Sequence, residues 1–262
     1  MNSQKLQNKK IIISGAADGI GWSIAQACMN NGAIVYISDN NNVALDKISQ
    51  DKFFEKQFFI DKVNTNNINE VEDYFSKLKN NIDNIDSLIN NVGIAGPTGK
   101  IEDINVHDWK ETIDVNINSH FYYIKHSIPL IKKNNGGSIL NLSSTAGQFG
   151  FPLRSPYAAS KWAIIGLTKT LAMELGEFNI RVNAICPGSV SGNRMKKVIE
   201  AKAKSLDISE DSLKKDYASM VSLRSFIDKE DIANIAVFLL SDEANKISGQ
   251  AITVDGNTER MN

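Results

Sequence analysis

The chain reads as an α/β domain with a doubly wound parallel sheet and helices on both faces. Three observations predict this. Short apolar, β-branched runs alternate with amphipathic helical stretches, and strand–helix alternation builds parallel sheets under helical covers. The first apolar run, Ile11 to Ser14, leads at once into a glycine-rich turn and a helix. No linker, low-complexity tract or internal repeat divides the 262 residues, a length that α/β domains reach as one unit with a large core.

The elements follow in order. Ile11-Ile12-Ile13-Ser14 is a buried strand, and Trp22 to Met29 is the helix behind it. Ile34 to Ser38 is the second strand, Asn42 to Gln50 a short helix and Gln57 to Ile60 the third strand. Ile68, Val71, Phe75 and Leu78 recur at helical spacing, so Ile68 to Leu78 is a helix. Ser87 to Ile89 starts a fourth strand that runs into Asn90. Val106 to Ile131 is one long helix with Pro129 near its end, and Ser138 to Leu142 is the fifth strand. Pro156 to Gly176 opens on Pro and closes on Gly, the usual helix asymmetry. Ile180 to Ile185 is the sixth strand, Asp228 to Leu240 a helix, and Ala251 to Val254 the last strand. Ser189 to Leu223 breaks the rhythm as a long, charged insertion, expected to be irregular and to act as a lid.

Bulk properties narrow the function. A net charge of −1 suggests neither nucleic acid nor an anionic membrane as a partner. Cys28 and Cys186 lack metal-ligand spacing and read as buried fillers in a reducing compartment. No run approaches the ~20 apolar residues of a membrane helix, and Met1 to Lys10 has no apolar signal core. The expectation is a soluble cytoplasmic protein. His107, His120 and His126 lie in or beside one long helix without the partners a zinc site needs, so no metal is expected.

Two motifs carry chemistry. In Gly15-Ala16-Ala17-Asp18-Gly19-Ile20-Gly21, Gly15 permits a tight turn, Gly19 lets backbone approach a diphosphate, and Gly21 lets helix pack on strand. The helix that follows offers unpaired N–H groups and a positive dipole end to phosphates. Farther on, Tyr157 and Lys161 stand about one helical turn apart on one face. An isolated phenol titrates near ~10; a neighbouring cation favours the phenolate and equips it for proton transfer at neutral pH.

Together these segments resemble the short-chain dehydrogenase/reductase family, from Ile11 to about Gly256. Asn90-Asn91-Val92-Gly93 is similar to the family's Asn-Asn-Ala-Gly, with Val in the Ala position. Asn116 in Asp114-Val115-Asn116, Ser144 thirteen residues before Tyr157, Pro187-Gly188, Ser248-Gly249-Gln250 and Val254-Asp255-Gly256 follow in family order. The resemblance implies a single Rossmann-type domain. It also implies an enzyme that interconverts a secondary alcohol and a ketone. Tyr157 would exchange the proton, Ser144 would bond the substrate oxygen, and Lys161 would acidify the phenol and hold the nicotinamide ribose. Asn116 would interrupt its helix and complete a proton relay. Family members commonly form homotetramers or dimers through the helix carrying Tyr157, so a homo-oligomer is expected.

Cofactor choice rests on two positions. Asp39 ends the second strand, where a carboxylate accepts from both ribose hydroxyls and repels a 2′-phosphate; Asp39-Asn40-Asn41 is also turn-like. Asp18 stands where relatives that take the phosphorylated cofactor commonly carry a base. NAD is therefore expected over NADP. By resemblance, Asp61 and Lys62 are placed at the adenine edge, Asn91 at the nicotinamide ribose and Val190 at the carboxamide. Arg154 and Arg194 are candidates for an anionic substrate, although a solvated helix with Lys196–Glu200 partly paired is the favoured reading of that stretch. Candidate substrates are a polyol, a sugar, a hydroxy acid, a steroid-like alcohol or a 3-oxoacyl thioester on an acyl carrier protein. A catalytically silent nucleotide-binding regulator is the remaining class, and it should have lost Tyr157, Lys161 or Ser144.

Overall fold

A computed structural model of the protein describes residues 4–51 and 57–260. The strands are β1 (Lys10–Ser14), β2 (Ile34–Asp39), β3 (Phe58–Lys62), β4 (Ser87–Asn90), β5 (Gly137–Leu142), β6 (Ile180–Pro187) and β7 (Ala251–Val254). They form one seven-stranded sheet in the order β3-β2-β1-β4-β5-β6-β7, parallel throughout. The chain winds outward from β1 to β3, then crosses back to β4 beside β1. Loops leaving β1 and β4 therefore diverge and open a crevice at the carboxyl edge.

The helices are α1 (Gly19–Asn30), α2 (Asn42–Ser49), α3 (Ile68–Lys79), α4 (Val106–Ile113), α5 (Ser119–Lys133), α6 (Ser155–Leu175), α7 (Asn193–Leu206), α8 (Glu210–Ser219) and α9 (Lys229–Leu240). Strand alternation divides the core between the two faces of the sheet. Ile11 and Ile13 pack with Ile24 and Cys28 of α1 and Ile232 and Ala236 of α9. Ile12 packs on the opposite face with Phe75 of α3, Tyr123 of α5 and Leu171 of α6. All three isoleucines are fully buried, and each such side chain contributes roughly 1.5–3 kcal/mol. Among the described residues no helix is long and apolar enough to cross a membrane.

Two expectations need correction. The stretch expected as one helix from Val106 to Ile131 is α4, a π-helical segment Asp114–Asn118, and α5. The wider π turn carries Asn116 into the interior, where its amide accepts from Ile94 N at 2.7 Å and donates to Ile94 O at 3.1 Å and Ser160 Oγ at 3.0 Å. Nor is Ser189 to Leu223 irregular, because it folds into α7 and α8. Ile199, Ala203, Leu213, Tyr217 and Met220 form a small separate core, with Phe151 packed against it. These few apolar positions are scattered among charges, which hides the helical period from a linear reading.

Candidate active site

The crevice is a cleft of about 910 Å³, lined by the loops that leave β1, β2, β4, β5 and β6 and by the start of α6. Gly15 turns the chain out of β1 with φ +63°, and Gly19 enters α1 with φ +59°. A Cβ on Gly15 would fall 2.8 Å from Val92 Cγ2, so the β1 and β4 loops meet only because this residue lacks one. The Asn91 amide donates to Gly15 O at 2.6 Å and locks the two loops together. Asp18 caps α1 by accepting from Gly19 N at 2.7 Å. The Asp39 carboxylate accepts from Ala17 N and from Asn41 N, both at 3.0 Å, so it is both a turn cap and a tie to the glycine loop. Gly15, Asp18, Gly19, Ile20, Asp39, Asn91 and Val190 all line the cleft, whereas Gly21 lies behind it, under Asn91.

Ser144, Tyr157 and Lys161 line the same cleft. Ser143 donates to Lys161 O at 2.8 Å and is thereby committed to the fold, while Ser144 caps the short turn Thr145–Gly147. Lys161 is buried and donates from Nζ to Leu142 O at 2.8 Å. A Cβ on Gly93 would lie 3.2 Å from Asn116 Oδ1 and 3.3 Å from Lys161 Nζ, so glycine there leaves room for the ammonium. Asn116 does not line the cleft. It ties the site together from behind, since Ser160 Oγ donates onward to Tyr157 O at 2.7 Å. Lys161 Nζ and Arg154 Cζ stand 5.8 Å and 5.2 Å from the centre of the Tyr157 ring, within cation–π reach.

Asp61 and Lys62 are not among the residues that line the cleft; Val63 and Asn64 are. The reason is strand length: β3 continues through Lys62, two residues past the expected end, so the loop meets the cleft later. Asp61 lies instead near Tyr74, Tyr123 and Lys77; burial pushes its carboxyl up, and Lys77 opposes this. Arg194 falls on α7, but its side chain lies outside the described residues. A grouping around His107 goes unmarked in the sequence. One helical turn brings His107, Asp108 and Glu111 within 4.8 Å of one another, with His107 and Glu111 exposed.

One buried group had no sequence signal. His120 Nε2 donates to Val92 O at 3.0 Å, directly beneath the Asn91–Gly93 loop. Burial, and secondarily the Lys161 charge, push the imidazole down to about 3. The neutral ring thus fixes the Val92 carbonyl, and its Nδ1 has no partner among the described residues.

Known proteins resemble the chain along nearly its whole length. A family model described as "Enoyl-(Acyl carrier protein) reductase" matches residues 15–257. Trans-4-hydroxycyclohexanecarboxylate dehydrogenase of Sinomonas cyclohexanicum is 34% identical over 264 residues, covering 97% of this chain and 94% of that protein. The 3-oxoacyl-(acyl-carrier-protein) reductase of Thermotoga maritima is 33% identical over 257 residues, with 96% and 98% covered. Among solved structures, NAD+-bound xylitol dehydrogenase superposes with a TM-score of 0.90 at 27% identity, over 97% of this chain and all of that one.

Proposed function

The chain belongs to the short-chain dehydrogenase/reductase family and is an NAD(P)-dependent oxidoreductase of alcohol and ketone groups; on that premise we propose that it interconverts a small polar secondary alcohol and its ketone with NAD. One observation carries the reading: Ser144, Tyr157 and Lys161 share a single cleft with the glycine loop and Asp39.

The residues present fit a dinucleotide, because a side chain at Gly15 would fill the cradle against Val92. Gly15, Gly19 and Ile20 at the N-terminus of α1 would hold the diphosphate, and Asp39 the adenosine ribose. Asn91 and Val190 would border the nicotinamide end. When bound, the cofactor accepts or supplies the hydride. An ionised carboxylate offers about four acceptor sites, so Asp39 retains capacity for ribose hydroxyls beyond its bonds to Ala17 and Asn41. Its charge opposes a 2′-phosphate.

Tyr157 takes the hydroxyl proton in oxidation and returns it to the carbonyl oxygen in reduction. Ser144 donates to that oxygen as negative charge gathers on it. Lys161 stabilises the phenolate through its charge. Asn116 acts as a positioning residue, joining the Ile94 loop to Ser160 and so to the backbone of Tyr157. The α7–α8 pair, which brings Met195, Val198 and Tyr217 to the cleft wall, serves as the lid over the substrate. Phe121 on α5 and Trp162 on α6 are 50% and 52% exposed, and these faces are the contact surfaces of a homo-oligomer.

A second reading, reduction of a 3-oxoacyl thioester, draws on the Thermotoga relative's stated activity. Asp39 weighs against it, since such reductases usually take the phosphorylated cofactor. Purified protein, a panel of alcohols and ketones, and both cofactors at the nicotinamide absorbance band test the proposal. NAD-linked oxidation of a small polar alcohol is expected. A higher kcat/KM with NADP, or activity confined to acyl thioesters, overturns it.

A further inference from the structure

Beyond Tyr157, three side chains from distant parts of the sequence converge, and the acid–base chemistry uses none of them. Arg154, at the start of α6, lines the cleft and is 2% exposed. Its Cζ lies 5.2 Å from the Tyr157 ring centre and 5.5 Å from that of Phe151, and Nη2 donates to Ala95 O at 2.6 Å. Lys202 of α7 is also 2% exposed, with Nζ 5.3 Å from the Phe151 ring centre and 5.4 Å from that of Tyr217. Tyr217 of α8 is 5% exposed and lines the same cleft; its hydroxyl is closed off from solvent and has no hydrogen-bond partner among the described residues.

Gathering two cations in a dry region costs hydration and adds repulsion. The ionisation of the neighbours registers this: burial, then the Arg154 charge, pushes the Lys202 ammonium below its ordinary range. Aromatic faces account for part of the arrangement, since Phe151, Tyr157 and Tyr217 supply cation–π contacts. They do not account for the Tyr217 hydroxyl. A buried donor without an acceptor is unfavourable, and phenylalanine would fill the same space without that cost. A buried donor near two cations on a substrate cleft is suited to an incoming anion.

We propose that Arg154, Lys202 and Tyr217 form a subsite for a carboxylate on the substrate, so that the chain acts on hydroxy acids and oxo acids in preference to neutral alcohols. Arg154 and the Tyr217 hydroxyl donate to the carboxylate, and Lys202, set behind the Phe151 and Tyr217 rings, contributes its charge. The inference takes its reacting end from the oxidoreductase reading; the subsite itself is tested by binding as well as by turnover.

The test compares 3-hydroxybutyrate and 4-hydroxycyclohexanecarboxylate with their methyl esters, using wild-type protein and NAD. The acids should exceed the esters in kcat/KM by about tenfold or more, with the difference in KM. Tyr217→Phe removes only an unpartnered hydroxyl and should fold as well as wild type, yet lower the acid-to-ester ratio by about tenfold. Lys202→Met keeps the apolar stem and should lower the ratio comparably. Esters that match or outdo the acids, or ratios unmoved in both variants, overturn the proposal. If neither acids nor esters turn over, calorimetry with NAD and cyclohexanecarboxylate against cyclohexanecarboxamide decides. Tighter binding of the carboxylate, lost in Lys202→Met, upholds the subsite and charges the failure to the acid–base reading. Equal binding of the two ends the subsite.

Discussion

Gly21→Ala sets two effects against each other, and the structure says which should win. Alanine is favoured over glycine in a helix by about 1 kcal/mol, and Gly21 has no positive φ that would forbid it. Against this, the new Cβ would lie 2.5 Å from Gly15 O and 2.7 Å from Ala16 Cα, both backbone atoms, and 2.5 Å from Asn91 Nδ2. Carbon contacts settle near roughly 3.5–4.0 Å, so the start of α1 must move off β1 by about an ångström. Overpacking of this kind costs about 1–3 kcal/mol, and displacing the Asn91–Gly15 hydrogen bond adds roughly 1 kcal/mol. The net is a destabilisation of about 1–3 kcal/mol, or a Tm lower by about 3–10 °C for a chain of this size. Because the same loop is proposed to cradle the diphosphate, KM for NAD should rise as well. Gly19→Ala is the companion variant: φ is +59°, but no described residue lies within 4 Å of its Cβ, so only backbone strain of about 1–2 kcal/mol applies. Calorimetric melts with and without NAD, together with NAD kinetics, read both. A Gly21→Ala protein as stable as wild type or more so would refute the close-approach argument, since propensity alone would then have decided.

The other predictions concern charge, ionisation and assembly. Lys161→Ala should abolish turnover, measured by initial rates, and weaken NAD binding by about tenfold or more, measured by calorimetric titration. Asp39→Ser should erode the NAD-to-NADP ratio of kcat/KM by about tenfold or more, because it removes the charge opposed to a 2′-phosphate. His120 is held near 3 in the fold, against roughly 6.5 when unfolded. Below roughly 6.5 the unfolded chain therefore binds the extra proton, and this stability, complete above that value, is lost as pH falls towards 3, by up to about 5 kcal/mol. Urea titrations from pH 7 to 4 should show a shallower pH slope for His120→Gln than for wild type. Trp162→Asp should lower the mass seen by light scattering if the exposed α6 face joins copies of the chain.

Much of the fold was legible because its strands are nearly continuous apolar runs. Ile11 to Ile13 and Val182 to Ile185 are buried on both sheet faces, so burial and sequence pattern coincide. The glycine loop and the Tyr157–Lys161 pair were legible because each is local, lying within one turn or one helical repeat. The misses are non-local. The third strand was ended two residues early, because nothing in Ile60-Asp61-Lys62 marks where sheet pairing with Ser38 and Asp39 ends. His120 reaches its role only when α5 packs beneath Val92, a contact across 28 residues. Lys202 and Tyr217 sit in helices with mostly polar sequence, and meet Arg154 only through the small core around Phe151. The π turn at Asn116 was anticipated through family likeness, since the residues themselves give only an uninterrupted helical period.

The account turns on Tyr157 as the proton-exchanging group, and the most direct measurement pairs NAD binding with turnover in Tyr157→Phe. The reading predicts a dissociation constant for NAD within about threefold of wild type and a kcat lowered by about 10²-fold or more. A Tyr157→Phe protein that still turns over alcohol at near the wild-type rate would contradict it, and another group would have to move the proton.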